Sequence, residues 1–278
     1  MQRERIAEGI HVLTCERYFE VTAGVIVTNR GVIIVDTFPF PAESQALREF
    51  AEAQETGPIR YVILTHSHAD HSYGSYLFPE ADLISQDLCR TLIEKMGQEG
   101  LRKAREETPE LAQVRLRLPN ITVESEGAIH LGQYSIDLIH TPGHTRDGLT
   151  AYVREEKIAF AGDVVMPIPY IPHGDPEDLV QSLKRLKGLS IDHLVQGHGE
   201  PLLRGEVGET LDSSIKYLNA IQKRVRQLVE RGAPPTELEG ISIESCGKSR
   251  VPLGGLAEQL HRLNLQYLYN RYRAELLR

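Results

Sequence analysis

Short apolar runs of strand length recur along most of this chain and alternate with segments of helical period. The strand-like runs cover residues 11–14, 21–27, 32–35, 61–65, 81–85, 135–140, 157–161 and 191–196. Apolar residues three or four positions apart predict helices over 42–53 and 176–187. Two strand-rich halves flanked by helices predict an α/β fold, although the pattern alone leaves the layering open.

Two further segments have helical composition and lie outside these halves. Residues 86–119 are rich in Lys, Arg and Glu with interleaved Leu and Met, and they predict an inserted pair of helices that ends at Pro119. This insertion either forms a wall beside an active site or is a solvent-exposed helical addition without a functional role. From Gly205 onward, the apolar spacing predicts a long amphipathic helix that stops at Gly232 and a last helix over 256–277. The apolar stripe of the last helix is interpreted as core packing, with a dimer contact as the alternative.

The densest chemistry in the chain follows the strand-like run at 61–64. The loop reads Thr65-His66-Ser67-His68-Ala69-Asp70-His71. At the residue frequencies of this chain, a chance His-x-His-x-Asp-His is on the order of one in a thousand. Imidazole and carboxylate are the ligand types that borderline divalent metals prefer. Because a loop at a strand end sends side chains to both sides of the turn, this one loop can serve two adjacent metals.

Isolated His and Asp residues recur at three later strand ends, and two metals would need these additional donors. The three segments are Pro142-Gly143-His144, Gly162-Asp163 and Gly197-His198-Gly199. Each has an apolar run, then a small or turn-forming residue, then one ligand-type side chain. A single residue of this kind is usually an ordinary surface or structural residue. Four such strand ends in one chain predict a metal site.

The order His-x-His-x-Asp-His, Pro-Gly-His, Gly-Asp and Gly-His-Gly resembles the metallo-β-lactamase superfamily over residues 8–205. The resemblance implies a four-layered αββα sandwich over 1–205, with the 86–119 insertion, and a C-terminal helical segment, 206–278, packed on it. It implies that one metal binds His66, His68 and His144, that a second binds Asp70, His71 and His198, and that Asp163 bridges both. Asp36 resembles the superfamily's upstream aspartate, which steadies the histidine loop without touching metal.

The resemblance further implies a dinuclear metallohydrolase. Two divalent ions close together would bridge a water, lower its pKa and produce a hydroxide that attacks a scissile carbonyl. Asp163 would hold the ion pair together and Asp70 would orient the hydroxide, so both are catalytic candidates. Zn²⁺ is the first expectation for the ions, with Mn²⁺ or Fe²⁺ as alternatives, because all three accept His and Asp donors.

The residues at and after Asp163 restrict the range of possible substrate classes. The well-known zinc β-lactamases have cysteine or serine at the position of Asp163, which argues against β-lactams. Prolines and Tyr170 stand where glyoxalase II and the persulfide dioxygenases have a Gly-Cys-Gly-basic stretch. The prediction is therefore hydrolysis of an ester, lactone or related acyl bond in a small molecule. The alternatives are a glutathione thioesterase or a mono-iron persulfide dioxygenase, with β-lactamase and nuclease activity ranked below them. Tyr73, Tyr170 and His173 are candidates for substrate contact or leaving-group protonation.

Composition bears on partners and location. The formal net charge of −8 provides no basic footprint for nucleic acid or an acidic membrane. The longest apolar runs are of strand length, and the charged first residues lack the apolar stretch of a signal peptide. Cys15, Cys89 and Cys246 are scattered without CxxC spacing and are interpreted as buried or incidental thiols. We therefore expect a cytoplasmic enzyme that acts on a small molecule.

Overall fold

Two β-sheets face each other in the computed structural model, which describes residues 1–277. The first sheet has seven strands that lie side by side in chain order: β1 (Gln2–Ala7), β2 (Ile10–Cys15), β3 (Val21–Thr28), β4 (Gly31–Val35), β5 (Ile59–Ile63), β6 (Asp82–Gln86) and β7 (Ile121–Val123). The second sheet contains β8 (Glu126–Leu131), β9 (Tyr134–His140), β10 (Leu149–Val153), β11 (Ile158–Gly162), β12 (His193–Gln196) and β13 (Leu202–Leu203). Its six strands lie in the order β13-β12-β11-β10-β9-β8.

Helices lie against both sheets. They are α1 (Pro41–Glu52), α2 (Ala69–Ser72), α3 (Asp87–Leu92), α4 (Gln98–Glu107), α5 (Pro176–Lys187), α6 (Arg204–Glu230) and α7 (Leu256–Leu276). A π-helical segment occupies Ile93–Gly97, and 3₁₀ turns occupy Tyr73–Leu77, Pro109–Gln113, Pro235–Gly240, Glu244–Cys246 and Leu253–Gly255. The helices predicted over 42–53 and 176–187 are confirmed as α1 and α5.

The direction of the strands brings the predicted ligand loops to one edge of the sandwich. β4, β5 and β6 are parallel, and β11 is parallel to β12. β10 is antiparallel to both β9 and β11, so β9, β11 and β12 all end on the same side. Loops that follow the carboxyl ends of such strands are the usual place for a site in an open sheet.

Apolar clusters separate four layers. Between the sheets, Ile33 and Ile63 of the first sheet pack with Leu149 and Phe160 of the second. A second cluster joins the first sheet to residues of α1 and α3. A third joins the second sheet to α5, α6 and α7. The αββα sandwich implied by the resemblance is confirmed.

The stripe of apolar residues on α7 packs into the core. Its buried members are Ala257, Leu260, Leu265, Leu268, Tyr269 and Tyr272. They belong to the same cluster as Leu194 of β12 and Leu183 of α5. We propose that residues 206–278 form the C-terminal helical segment of the domain; its first helix, α6, begins at Arg204. Residue 278 of that segment lies outside the described residues.

The insertion at 86–119 does not contain the predicted pair of helices. α3, the π-helical segment and α4 form one continuous helical run. Gly97 keeps a helical φ of −61°, so nothing interrupts the run before Thr108. Thr108 leaves the helical region, with φ −131° and ψ 87°, because the residue before a proline is disfavoured in α-helical conformation.

Several strands have no counterpart in the sequence pattern. β1 is charged and largely exposed at the edge of its sheet, so its residues do not alternate between apolar and polar. β10 is buried at all five positions, and its short mixed run has no period of two. Such strands are recognised only from their pairing, because β propensity depends strongly on the neighbouring strands.

The cysteines agree with the interpretation of buried thiols. Cys15, Cys89 and Cys246 are free and buried. Across residues 1–277, no helix combines the length and the apolar character that crossing a membrane requires.

The core of the second sheet can be tested at Leu183, which has no exposed surface. Leu183→Ala should lower the free energy of unfolding by about 2–5 kcal/mol, because it removes buried contacts and leaves a cavity. Urea unfolding of the metal-free protein measures the loss. Leu263→Ala on α7 is the matched control, since Leu263 is 42% exposed, and its effect should stay within about 0.5 kcal/mol. Equal losses from the two substitutions would contradict this description of the core.

Candidate metal centre

The predicted ligands meet at the edge of the sandwich in two groups of donor atoms. The first group is His66, His68, His144 and Asp163, and the second is Asp70, His71 and His198. Within each group, one potential ligand atom per residue lies within 4.8 Å of the others. The structure therefore brings together all seven residues that the resemblance implies as ligands, in the same two sets.

Asp163 lies between the two groups and turns one carboxylate oxygen to each. Its Oδ2 is 3.3 Å from His144 Nε2 and 3.8 Å from His66 Nε2. Its Oδ1 is 3.2 Å from His71 Nε2 and 3.6 Å from His198 Nε2. A carboxylate that bridges two ions requires this arrangement.

Several donor atoms of the cluster are buried without a hydrogen-bond partner. His66 Nε2, His71 Nε2 and Asp163 Oδ1 are all in this position. The last two atoms are 3.2 Å apart, but their orientation does not make a hydrogen bond. A buried polar atom left unpaired costs about 1–3 kcal/mol, and a cation among these atoms would remove that cost. The residues present therefore fit a divalent metal.

Each of the five histidines also has a polar neighbour at its other ring nitrogen. Side-chain oxygens serve two of the rings: His66 Nδ1 lies 3.1 Å from Thr65 Oγ1, and His71 Nδ1 lies 2.9 Å from Asp36 Oδ2. Backbone carbonyl oxygens serve two more: His144 Nδ1 lies 2.9 Å from that of Tyr170, and His198 Nδ1 lies 2.8 Å from that of Phe19. His68 Nε2 lies 3.0 Å from His173 Nδ1. An acceptor at one nitrogen holds the proton there and leaves the lone pair of the other nitrogen free for a metal.

Asp36 supports the histidine loop from the end of β4. Its Oδ1 accepts a hydrogen bond from Thr65 N at 2.7 Å, and its Oδ2 accepts from Thr65 Oγ1 at 2.6 Å and from His71 Nδ1 at 2.9 Å. Asp36 is not among the grouped donor atoms, a position that suits the predicted steadying role. Its φ of 58° lies in the left-handed region, which aspartate tolerates better than most residues. These bonds help to compensate for that conformation.

Glycine is required at two points where the backbone approaches the centre. A Cβ at Gly197 would lie 1.8 Å from Asp163 Oδ1. Gly162 has a φ of +52°, and a Cβ there would lie 2.4 Å from Thr65 Oγ1. The ends of β11 and β12 can come this close to the ligands only because both positions lack a side chain.

Burial and mutual charge set the protonation of most of the donors. Burial lowers the pKa of His66 well below its ordinary value and lowers the pKa of His144 to about 4. Burial alone would raise the pKa of Asp70, but His71 and His198 bring it down to about 2. Burial also opposes ionisation of Asp163, yet His198 and His71 hold its pKa well below the ordinary value. At neutral pH these groups are in the forms that bind metal.

His71 and His198 carry protons when no metal is bound. Burial by itself would lower the pKa of each ring. Asp163 overcomes this effect, so that the pKa of His71 is raised well above its ordinary value and that of His198 to about 10. A divalent ion that binds these rings must displace their protons.

Two of the three predicted substrate residues lie directly beside the donors. The Tyr170 ring is partly buried, with its centroid 5.8 Å from that of His144. His173 is exposed and contacts His68 at 3.0 Å. The rings of Tyr170 and His173 lie 5.7 Å apart, so together they form one side of the approach to the centre.

Tyr73 has a different environment. It is 7% exposed and packs with Leu101, Leu111 and Val114 of the 86–119 insertion. Ala69 of the histidine loop packs against the same cluster. The insertion therefore lies beside the histidine loop, and Tyr73 joins the two.

The sequence analysis did not identify Tyr18 and Asp147, which are near the centre. Burial raises the pKa of Tyr18 to about 12, with further contributions from Asp70 and Asp163. Asp147 is fully buried, and its Oδ2 accepts a hydrogen bond from Ser67 N at 2.8 Å. Tyr18 carries no local signal, because a tyrosine in a hairpin turn is unremarkable. For Asp147, the only signal is its place three residues after His144.

Comparison with known proteins gives a consistent picture. A protein-family model described as "Metallo-beta-lactamase superfamily" matches residues 17–198. The chain is 26% identical over 204 residues to a beta-lactamase-like protein 2 homolog of Caenorhabditis elegans, covering 73% of this chain and 62% of that protein. It is 27% identical over 196 residues to the acyl-coenzyme A thioesterase MBLAC2 of Homo sapiens, covering 60% of this chain and 68% of that protein. It is 24% identical over 208 residues to a hydroxyacylglutathione hydrolase of Brucella ovis, covering 72% and 73%.

Solved structures share the fold. A metallo-beta-lactamase from Pontibacter korlensis superimposes with a TM-score of 0.63 at 16% identity, over 76% of this chain and 97% of that chain. The sec-alkylsulfatase Pisa1 from Pseudomonas sp. superimposes with a TM-score of 0.74 at 15% identity, over 97% of this chain and 50% of that chain. At these identities the likeness establishes the fold alone. The matched region covers less than two thirds of the length of the C. elegans relative and half of the length of the alkylsulfatase.

The places of Asp163 and Asp36 lead to different expectations for metal binding. The parent protein should bind two equivalents of divalent metal, measured by elemental analysis and chelator competition. Asp163→Ala should weaken binding at both donor groups, since its oxygens face both. Asp36→Ala should cost about 10–100-fold, the usual effect of losing a partner of a ligand. Asp137→Ala serves as a control, because Asp137 of β9 forms an ion pair with Arg154 and is not among the grouped donors. It should leave both affinities unchanged. Equal effects at Asp163 and Asp36 would show that their roles are assigned wrongly.

Proposed function

Because this chain belongs to the metallo-beta-lactamase superfamily, we propose that it is a metal-dependent hydrolase that cleaves an ester, lactone or related acyl bond in a small molecule. The observation that carries the proposal is the position of Asp163, with one oxygen toward each of two complete donor groups. Relatives named as an acyl-coenzyme A thioesterase and a hydroxyacylglutathione hydrolase support hydrolysis of an acyl group.

We propose that the two donor groups hold two divalent ions, with Zn²⁺ first and Mn²⁺ or Fe²⁺ as alternatives. Such ions would supply a hydroxide at neutral pH and polarise the substrate carbonyl. Asp163 holds the two groups at a fixed separation. Asp70, whose Oδ2 is 3.3 Å from His198 Nε2, carries a carboxylate that is ionised at neutral pH and can orient the attacking water.

Tyr170 and His173, which line one side of the approach to the metal centre, are placed to contact the leaving group. Burial raises the pKa of Tyr170, so the phenol keeps its proton at neutral pH. A protonated phenol beside the centre can donate to the oxygen or sulfur that departs. Pro167, Pro169 and Pro172 stiffen the segment that carries it, and a rigid wall suits a small acyl group better than a long polymer.

A thioester is the second candidate within the acyl class. It is favoured by the names of the human and Brucella relatives, which are a thioesterase and a hydroxyacylglutathione hydrolase. The segment after Asp163 still lacks the Gly-Cys-Gly-basic stretch of glyoxalase II. We therefore place acyl-glutathione below oxygen esters, lactones and other thioesters.

A panel of activated esters, lactones, acyl-coenzyme A and acyl-glutathione, each assayed with metal-loaded protein, tests the proposal. At least one acyl substrate should be hydrolysed, and a chelator should abolish turnover. Asp163→Ala should reduce the rate to the uncatalysed background, because it removes donors from both groups, while Asp137→Ala should match the parent. A fully metal-loaded protein that is inactive on every acyl substrate would refute acyl hydrolysis. An active Asp163→Ala would instead refute the role given to Asp163.

Substitution of Tyr170 separates proton donation from packing. Tyr170→Phe should lower kcat with little change in KM if the phenol donates to the leaving group. Tyr170→Ala should in addition raise KM, because it removes part of the wall. Tyr61→Phe is the control, since Tyr61 lines a groove with Asn29 and Arg30 at the opposite end of its sheet. If both Tyr170 variants behave like the parent on its best substrate, this segment does not recognise the substrate.

A further inference from the structure

The helix α7 holds the segment that links Asp163 to α5 at three points. Asn264 bonds to the backbone on both sides of Tyr170, and Tyr267 Oη donates to the Gly174 carbonyl oxygen at 3.0 Å. Arg271 pairs with Asp175 at 2.9 Å. Residues 264, 267 and 271 are spaced i, i+3 and i+7, so they share one face of the helix. That face is directed at the wall of the metal centre.

Asn264 makes the innermost of these contacts. Its side chain is fully buried. Its Oδ1 accepts a hydrogen bond from Ile171 N at 3.0 Å, and its Nδ2 donates to the Pro169 carbonyl oxygen at 2.7 Å. One amide thus holds the peptide groups on either side of Tyr170, which leaves the backbone of Tyr170 little freedom to rotate.

The Tyr170 backbone in turn holds His144. The Tyr170 carbonyl oxygen accepts the hydrogen bond of His144 Nδ1 at 2.9 Å. His144 Nε2 lies on the other side of the ring, 3.3 Å from Asp163 Oδ2 and 3.1 Å from His68 Nδ1. The carbonyl therefore sets both the tautomer and the direction in which the imidazole lone pair points.

The orientation of the Asn264 amide follows from the groups around it. Ile171 N can only donate and the Pro169 carbonyl can only accept, so Oδ1 and Nδ2 cannot be exchanged. Nδ2 also donates to Tyr217 Oη at 3.1 Å, Tyr217 Oη lies 2.9 Å from His261 Nδ1, and His261 Nε2 lies 2.8 Å from the Ile241 carbonyl oxygen. The amide therefore has two sets of bonds, one to the wall of the metal centre and one into the helical segment.

We propose that Asn264 is a positioning residue of the metal centre, which acts on His144 through the backbone of Tyr170. This inference rests on the proposed binding of metal by the two donor groups and goes beyond it, because it makes the C-terminal helical segment part of the centre. Its distinctive consequence is that only one of the two donor groups should lose metal affinity. Loss of Asn264 should disturb the group that contains His144 and leave the group of Asp70, His71 and His198 intact.

The test compares Asn264→Ala with Tyr217→Phe. The first removes both sets of bonds, while the second removes only the bonds into the helical segment and leaves the wall held. Both variants leave buried polar groups unpaired, so both should unfold at a lower temperature than the parent when metal-free. Asn270→Ala, at an exposed position of the same helix, is the surface control.

Metal affinity is measured by competition of a chelator with the parent and each variant, without substrate. His144→Ala and His198→Ala identify which of the two affinities belongs to which donor group. Asn264→Ala should weaken the affinity of the His144 group about 10-fold, at the lower end of the range for partners of ligands. The other group should change less than about 3-fold, and Tyr217→Phe should leave both groups within that limit.

Should Asn264→Ala fail to fold, Asn264→Asp decides the question. It keeps an acceptor for Ile171 N but places a second oxygen against the Pro169 carbonyl, so it should show the same selective loss. Unchanged affinities, or equal weakening of both groups, would overturn the inference. A protein that holds two metals and shows the selective loss, yet hydrolyses no acyl substrate, would refute the proposed function while upholding the role of Asn264.

Discussion

Asp163 is a carboxylate almost wholly removed from solvent, with 4% of its surface exposed, and the cost of burying that charge shapes the centre around it. An isolated buried carboxylate is destabilising by several kcal/mol unless positive groups surround it. Four imidazole nitrogens approach its two oxygens, and unpaired donors remain among them. Protonated rings offset part of the cost when no metal is bound, and two divalent ions would offset it more completely. The chemistry proposed for the centre and the stability of this edge of the sandwich thus depend on the same charge.

The rings around Asp163 are held by partners that come from distant parts of the chain. His198 bonds to the carbonyl of Phe19, 179 positions away, and His71 bonds to Asp36, 35 positions away. These contacts exist because parallel strands end together and the two sheets pack face to face. The apolar core between the sheets is therefore what brings the polar partners within hydrogen-bond distance.

The C-terminal helices contribute in two ways. Their apolar residues complete the core on the outer face of the second sheet. Their polar residues on one face of α7 hold the wall that carries Tyr170.

The cluster of candidate ligands was predictable because its signal is local. His144, Asp163 and His198 each follow an apolar run and a small or turn-forming residue, and three histidines within one loop are rarely accidental. Most of the strand-like runs and the positions of α1 and α5 were predictable for the same reason, since a period of two or of 3.6 is visible within a short window. The insertion at 86–119 was predicted less well, because a single helical run through Gly97 has nearly the same composition as two helices.

Tyr18, Asp147 and Asn264 were decided only by the tertiary structure. A buried asparagine has no periodic signature, and its neighbours in the chain look like those of any amphipathic helix. Its importance arises from a backbone segment 93 positions away that arrives at the same place. The sequence by itself therefore determined which groups can bind metal, since that depends on residue type and local turns. Only the packed structure decided what orients them, because orientation depends on which distant backbone atoms lie within about 3 Å.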